Sequence, residues 1–233
     1  MREDAPWLRG GPDVQYRYEQ RVSFLCAGLD GPGRSFLEAK WPVRAVNVID
    51  MKPYLRVPVD RFLGAGTLQL EDLMGMSLDD FESCDGLIAG PPCQAVSMFG
   101  KGLCGNDPRT QVFFKVLEVI ENLSKRSSYP LKWVILENVC ALTYCRSHGN
   151  VLSYITEWWS QHMPHWGPLR AQKMNANTCG LPQSRARLIM ASESNIFQDI
   201  AGIPSVPRVL PKVSFEIWLE SGAPLSGDLE WRP

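Results

Sequence analysis

The chain has 233 residues, 45% of them hydrophobic and 21% charged, with a formal net charge of -1. That length supports a globular domain with a sizeable core, and the near-neutral total leaves open a local basic face for a polyanionic partner. No run of about 18 apolar residues occurs, which excludes a membrane-spanning helix, and the charged start "MREDAPWLRGG" has no apolar stretch of the kind a signal peptide needs.

Taken in chain order, "VSFLC" (Val22 to Cys26) reads as a first strand and is followed by a Gly-rich turn, "AGLDGPG", and a short helix, "RSFLEAK". "VRAVNVI" (Val43 to Ile49) reads as a second strand that ends at Asp50. Residues 51–80 are interrupted by Pro53, Pro58, Gly64, Gly66 and Gly75, and their pattern settles no single element. "GLIAG" is the next strand. It runs straight into Pro91 and Pro92, which lack the N–H that a sheet requires, and then into Cys93. The spacing predicts a helix over 110–126, with apolar residues at 112, 113, 116, 117, 119, 120 and 123. "LKWVILE" (Leu131 to Glu137) is a buried strand, and 150–161 is an amphipathic helix with Leu152, Ile155 and Trp159 on one stripe. "LRAQKM" and "ARLIMAS" are two late strands.

Strands alternating with helices imply right-handed βαβ units, hence an α/β fold with a mostly parallel sheet. Ligands of such sheets bind at the carboxyl ends of the strands. The Gly-rich turn, Asp50, Cys93 and Glu137 all fall at those ends.

The seven cysteines, at 26, 84, 93, 104, 140, 145 and 179, show no Cys-x-x-Cys pair, which points to a reduced, intracellular compartment. Cys140, Cys145 and His148 lie close together, but no second ligand pair completes a zinc tetrahedron, so no metal is expected.

Each candidate has two readings. The Gly-rich turn either admits a cofactor or is an ordinary strand-to-helix turn. Cys93 is either a thiolate nucleophile or a buried structural cysteine. Glu137, ending an apolar strand, is either a functional acid or is satisfied by loop amides. Arg185 and Arg187, two apart, share one side of a strand, which is either a site wall or a solvated edge.

The order of these motifs narrows the choice. "GPPCQAVSMFGKG", "DPRTQVFF", "LENV" and "GLPQSRARL" resemble, in sequence order, the motifs of the cytosine-5 DNA methyltransferases, and "CAGLDGPG" is similar to that family's cofactor-binding turn. The resemblance covers Val22 to Ser192. It implies a Rossmann-like S-adenosylmethionine-dependent fold with helices on both faces of the sheet. It also implies methyl transfer to carbon 5 of a flipped cytosine in DNA. By the same resemblance Cys93 is the nucleophile, Glu137 holds the base at ring nitrogen 3 and the exocyclic amine, and Arg185 and Arg187 support the site. Cys26, Ala27, Gly28, Leu29, Gly31, Asp50 and Pro91 match the cofactor site, and Gln94, Ser97, Asn138, Val139 and Gln183 the substrate site. A nuclear location follows if the source is a eukaryote.

Two departures stand out. The acidic residue that holds the cofactor ribose in the family has Val48 in its place, two before Asp50, which makes Asp50 its expected substitute. The usual Gly-Asp after the second strand is missing, and only Glu71 and Asp72, displaced along the chain, offer carboxylates. The expected organisation is an extension over 1–20, a catalytic core over 21–192 and a short tail over 193–233. That tail stands where relatives carry a target recognition domain, for which about forty residues are too few. Transfer-RNA cytosine-5 methyltransferases share the same motifs. A silent, nucleic-acid-binding relative is the reading of another class.

Overall fold

A computed structural model of the chain describes residues 19–28, 42–92, 108–143, 151–179 and 184–194. Its strands are β1 (Gln20–Leu25), β2 (Val43–Asp50), β3 (Leu68–Leu70), β4 (Gly86–Ala89), β5 (Trp133–Asn138), β6 (Arg170–Asn175) and β7 (Ala186–Glu193). They form one sheet in the order β3-β2-β1-β4-β5-β7-β6. The first five pair in parallel, whereas β7 runs antiparallel to both β5 and β6. The helices are α1 (Arg56–Leu63), α2 (Pro108–Ser124) and α3 (Val151–His162). The helix expected over 34–40 lies outside the described residues. Helix α2 starts two residues before its predicted boundary, at a proline whose missing N–H costs nothing in the first turn.

The central strands are apolar throughout because both faces of the sheet are covered. Leu25, Leu87, Ala89, Val134 and Leu136 pack with Phe113, Val116, Leu117 and Ile120 of α2 and with Ile155 and Trp159 of α3. Val22, Phe24, Ile88 and Trp133 point the other way and pack with Leu55 and Val59 at α1. Alternation along β1, β4 and β5 therefore feeds two cores.

Strand β2 breaks that alternation. Its register against β1 shifts between Ser23 and Phe24, and Asn47, at φ 25°, is the extra residue of a β-bulge. Asn47 is buried, donates to Ser23 Oγ and to the Glu82 carbonyl (both 2.7 Å), and accepts from Glu82 N at 2.8 Å. The bulge re-phases the strand end. Val46 joins the α2 core, and Val48, two residues later, joins the α1 core, 1% exposed.

At the opposite, N-terminal edge of the sheet, Asp85 is fully buried. It accepts from Arg21 N at 2.8 Å and from the Tyr129 hydroxyl at 2.7 Å, and it pairs with Lys132 Nζ at 2.6 Å. A buried carboxylate persists only with such partners.

Candidate active site

The carboxyl ends of the parallel strands build the site. Beyond β1 the chain turns through Cys26, at φ 53°, and Gly28, at φ 57°. Space beside Gly28 is open, so the left-handed backbone rather than crowding selects glycine there. Asp50, ending β2, accepts from Gly28 N through Oδ2 and from Lys52 N through Oδ1, each at 3.0 Å. The carboxylate thereby ties the β1 turn to the end of β2.

A cavity of about 360 Å³ opens at this point, within the range of small-molecule sites. Cys26, Gly28, Ile49, Asp50, Glu71, Asp72, Leu73, Gly90, Pro92 and Val112 line it, with Met51, Lys52 and Tyr54 at its wall. Of the residues expected at a cofactor site, Cys26, Gly28 and Asp50 meet here. Ala27 sits between them and donates its N–H to the Ile49 carbonyl at 3.2 Å. Leu29 and Gly31 lie outside the described residues. Glu71 and Asp72, which the sequence marks as displaced, are brought to the wall because β3 pairs with β2 and ends at Leu70, opposite Asp50. Burial, and then the charges of Asp50 and Asp72, push the Cys26 thiol up to about 12. The shape and donor set fit an adenosyl cofactor: backbone N–H groups at a turn, carboxylates for hydroxyls, and an apolar floor from Ile49 and Leu73.

Beside this cavity stands a second group. Arg187, the second residue of β7, reaches across to β5, where its Nε donates to Glu137 Oε1 at 2.6 Å. Neither side chain is buried; Glu137 is 39% exposed and Arg187 22%. Glu137 Oε2 faces the backbone of Gly90, where an added methyl group would lie 3.6 Å from it. The glutamate therefore stands over the root of the proline-led turn. Asn138 is 2% exposed and faces inward, donating from Nδ2 to the Pro91 carbonyl at 3.3 Å. Its Oδ1 accepts from Val139 N at 2.8 Å. Asn138, matched by the resemblance to the substrate site, thus spends its amide on the turn, and Pro91 serves as that amide's acceptor.

Arg185 precedes β7 with an exposed side chain, and its N–H donates to Asn175 Oδ1 at 2.9 Å. Asn175 also donates to Ser184 Oγ at 3.2 Å and closes the base of the loop that holds Gln183. Cys93, Gln94, Ser97 and Gln183 lie outside the described residues. Sequence reasoning passed over Asn175, Glu71 and Asp72. The first carries no motif by itself, and the other two depend on a three-residue strand.

A larger cavity, about 470 Å³, lies at the ends of α2 and α3, among Glu121, His162, His165 and Trp166, and no expected site residue reaches it. Among the described residues no group of three or more His, Cys, Asp or Glu side chains could hold a metal ion, and no helix is long and apolar enough to cross a membrane.

Known proteins bear on this geometry. The sequence model of the C-5 cytosine-specific DNA methylases matches residues 60–204. The mouse (Mus musculus) tRNA (cytosine(38)-C(5))-methyltransferase is 25% identical over 175 residues, covering 74% of this chain and 40% of its own length. The Bacillus subtilis type II methyltransferase M2.BsuMI is 31% identical over 122 residues, covering 52% of this chain and 29% of its own. The chain thus spans less than half the length of these curated relatives. Among solved structures, the S. pombe Dnmt2 methyltransferase superposes with a TM-score of 0.57 at 20% identity, covering 76% of this chain and 50% of that one. The Entamoeba histolytica methyltransferase EhMeth gives 0.63 at 17%, covering 85% and 58%. The fold is therefore the mixed, mostly parallel α/β sheet of the S-adenosylmethionine-dependent methyltransferases. S-adenosylmethionine is the cofactor of the family whose model matches. On a match that spans well over half of the residues, the chain belongs to the C-5 cytosine-specific DNA methylases.

Proposed function

We propose that this chain carries the catalytic core of a DNA cytosine-5 methyltransferase, over residues 21–192, preceded by an extension at 1–20 and followed by a tail at 193–233. The observation that carries the reading is the Arg187–Glu137 pair beside the proline-led turn of Cys93. Cytosine carbon 5 is a weak nucleophile. Attack of the Cys93 thiolate on carbon 6 gives an enamine-like ring whose carbon 5 can accept a methyl group. Glu137 shares a proton with ring nitrogen 3 and accepts from the exocyclic amine, which selects cytosine and draws electrons into the ring. Arg187 holds Glu137 in place through Oε1. Arg185, exposed at the mouth of the loop, is assigned to the oxygen on carbon 2. Asn138 is a positioning residue that fixes the turn through Pro91 O. Gln94, Ser97, Val139 and Gln183 are assigned to the nucleotide. A base in a duplex must leave the stack to meet these groups.

Bound S-adenosylmethionine supplies the methyl group from its sulfonium. Cys26, Ala27, Gly28, Leu29, Gly31, Asp50 and the backbone of Pro91 are assigned to hold it. Three free cysteines among the described residues, Cys26, Cys84 and Cys140, support an intracellular setting, nuclear in a eukaryote.

The second reading is methylation of transfer RNA. It is favoured by the mouse enzyme, whose match covers 74% of this chain against 52% for the Bacillus enzyme. Transfer of labelled methyl groups to random duplex DNA and to transfer RNA, run side by side, decides between them. Label in DNA alone supports the leading reading. Label in transfer RNA alone replaces it, and label in neither, with no cofactor bound, supports a silent relative.

A further inference from the structure

Three carboxylates line the 360 Å³ cavity, on Asp50, Glu71 and Asp72, and they differ in what their oxygens already do. Asp50 is held from both sides, with Oδ2 on Gly28 N and Oδ1 on Lys52 N. Asp72 Oδ1 accepts from Met74 N at 3.0 Å and caps the turn Leu73–Gly75. Glu71 has no hydrogen bond or ion pair among the described residues, and its residue is exposed at the cavity wall.

The position of Glu71 is set by the sheet. Strand β3 runs parallel beside β2 with Asp50 opposite Leu70, so Glu71 is the first residue beyond that pair. It leaves the sheet one residue past the level of Asp50. The site where the resemblance places an acid, Val48, is turned by the Asn47 bulge into the α1 core.

We propose that Glu71 is the carboxylate that binds the ribose hydroxyls of the cofactor, and that Asp50 is a positioning residue for the Gly28 turn. An ionised carboxylate offers two oxygens and about four acceptor sites, enough to take both hydroxyls of a vicinal diol. Acidic side chains near the end of the second strand serve ribose hydroxyls in this way in dinucleotide-binding sheets. Glu71 has its full acceptor capacity available on a flexible side chain, whereas Asp50 has each oxygen pinned to backbone. The assignment rests on the reading of this cavity as the cofactor site.

Calorimetric titration with S-adenosylhomocysteine and its 2′,3′-dideoxyadenosyl counterpart tests it, on the wild-type chain, Glu71→Ala and Asp50→Asn. Glu71→Ala weakens the parent ligand about 10-fold, the scale of charged hydrogen bonds, and binds the dideoxy ligand as the wild type does. Asp50→Asn weakens both ligands by one common factor, because a loosened turn affects every adenosyl ligand. Equal loss for both ligands in Glu71→Ala, or no loss for either, overturns the assignment to Glu71 and leaves the cavity as the cofactor site. A folded wild-type chain that binds neither ligand removes the cofactor site itself, and the assignment with it.

Discussion

Arg187 and Glu137 lie 50 residues apart in sequence, yet the Arg187 Nε sits 2.6 Å from Glu137 Oε1. Antiparallel pairing of β5 with β7 sets Asn138 opposite Leu188 and Glu137 opposite Ile189, which places Arg187 just beyond the end of β5. An arginine there orients the carboxylate from one side and leaves Oε2 toward Gly90. Removing either partner should therefore cost turnover more than fold. Glu137→Gln is expected to lower methyl transfer by about 10² or more, the range of a positioned acid or base, with an unchanged circular dichroism spectrum. Turnover at the wild-type rate would remove Glu137 from the mechanism.

The nucleophile can be separated from the other thiols. Burial, then Asp50 and Asp72, hold the Cys26 thiol at about 12. Cys84 is pushed up to about 11, chiefly by burial. Neither supplies thiolate near neutral pH, and the thiolate is the attacking form. An oligonucleotide carrying cytosine fluorinated at carbon 5 should trap a covalent adduct with the wild-type chain and with Cys84→Ser, and none with Cys93→Ser. An adduct that survives in Cys93→Ser assigns the attack elsewhere.

Asn138→Leu tests the tie between β5 and the proline-led turn. Both Pro91 O and Val139 N lose a partner at a buried position, which costs about 1–3 kcal/mol. Urea denaturation should show that loss, and adduct formation should slow beyond what the lost stability explains. If both stay at wild-type values, the tie contributes nothing.

Gly86 lies opposite Trp133 in the β4–β5 pair, and a Cβ there would sit 2.0 Å from the indole ring. Trp133 is 7% exposed, and its Nε1 donates to Gln20 Oε1 at 3.1 Å, so the ring has little freedom to yield. Gly86→Ala is expected to destabilise by about 1–3 kcal/mol through overpacking, read as a lower urea midpoint. A midpoint unchanged or raised contradicts the packing described here.

The Asp85 cluster gives a pH dependence. Burial, then the hydrogen bond and charge of Asp85, raise the Tyr129 hydroxyl from its ordinary 10 to about 12. Above pH 10 the unfolded chain loses this proton while the folded chain keeps it, so stability falls as pH rises. The contribution is complete below pH 10 and is lost on passing 12. Denaturation midpoints taken across that window should fall less steeply in Tyr129→Phe than in the wild type. Identical slopes would show that another group sets the alkaline limit.

The sequence alone determined the parts of this molecule that are local. Apolar runs closed by prolines and by Asp50 mark strands and their carboxyl ends, because backbone chemistry and side-chain period act over a few residues. That was enough to place the Gly-rich turn, Asp50 and Glu137 at one edge of a mostly parallel sheet, and the motif order was enough to point to the family. Tertiary structure alone decided what depends on pairing between distant segments. Insertion of β7 between β5 and β6 brings Arg187 to Glu137. The inward turn of Asn138 gives its amide to Pro91. A bulge at Asn47 sends Val48 into the core, and a three-residue strand too short to read in isolation carries Glu71 and Asp72 to the cavity. Side-chain direction at a strand end is set by the partner strand's register, and that register is a property of the assembled sheet rather than of any one segment.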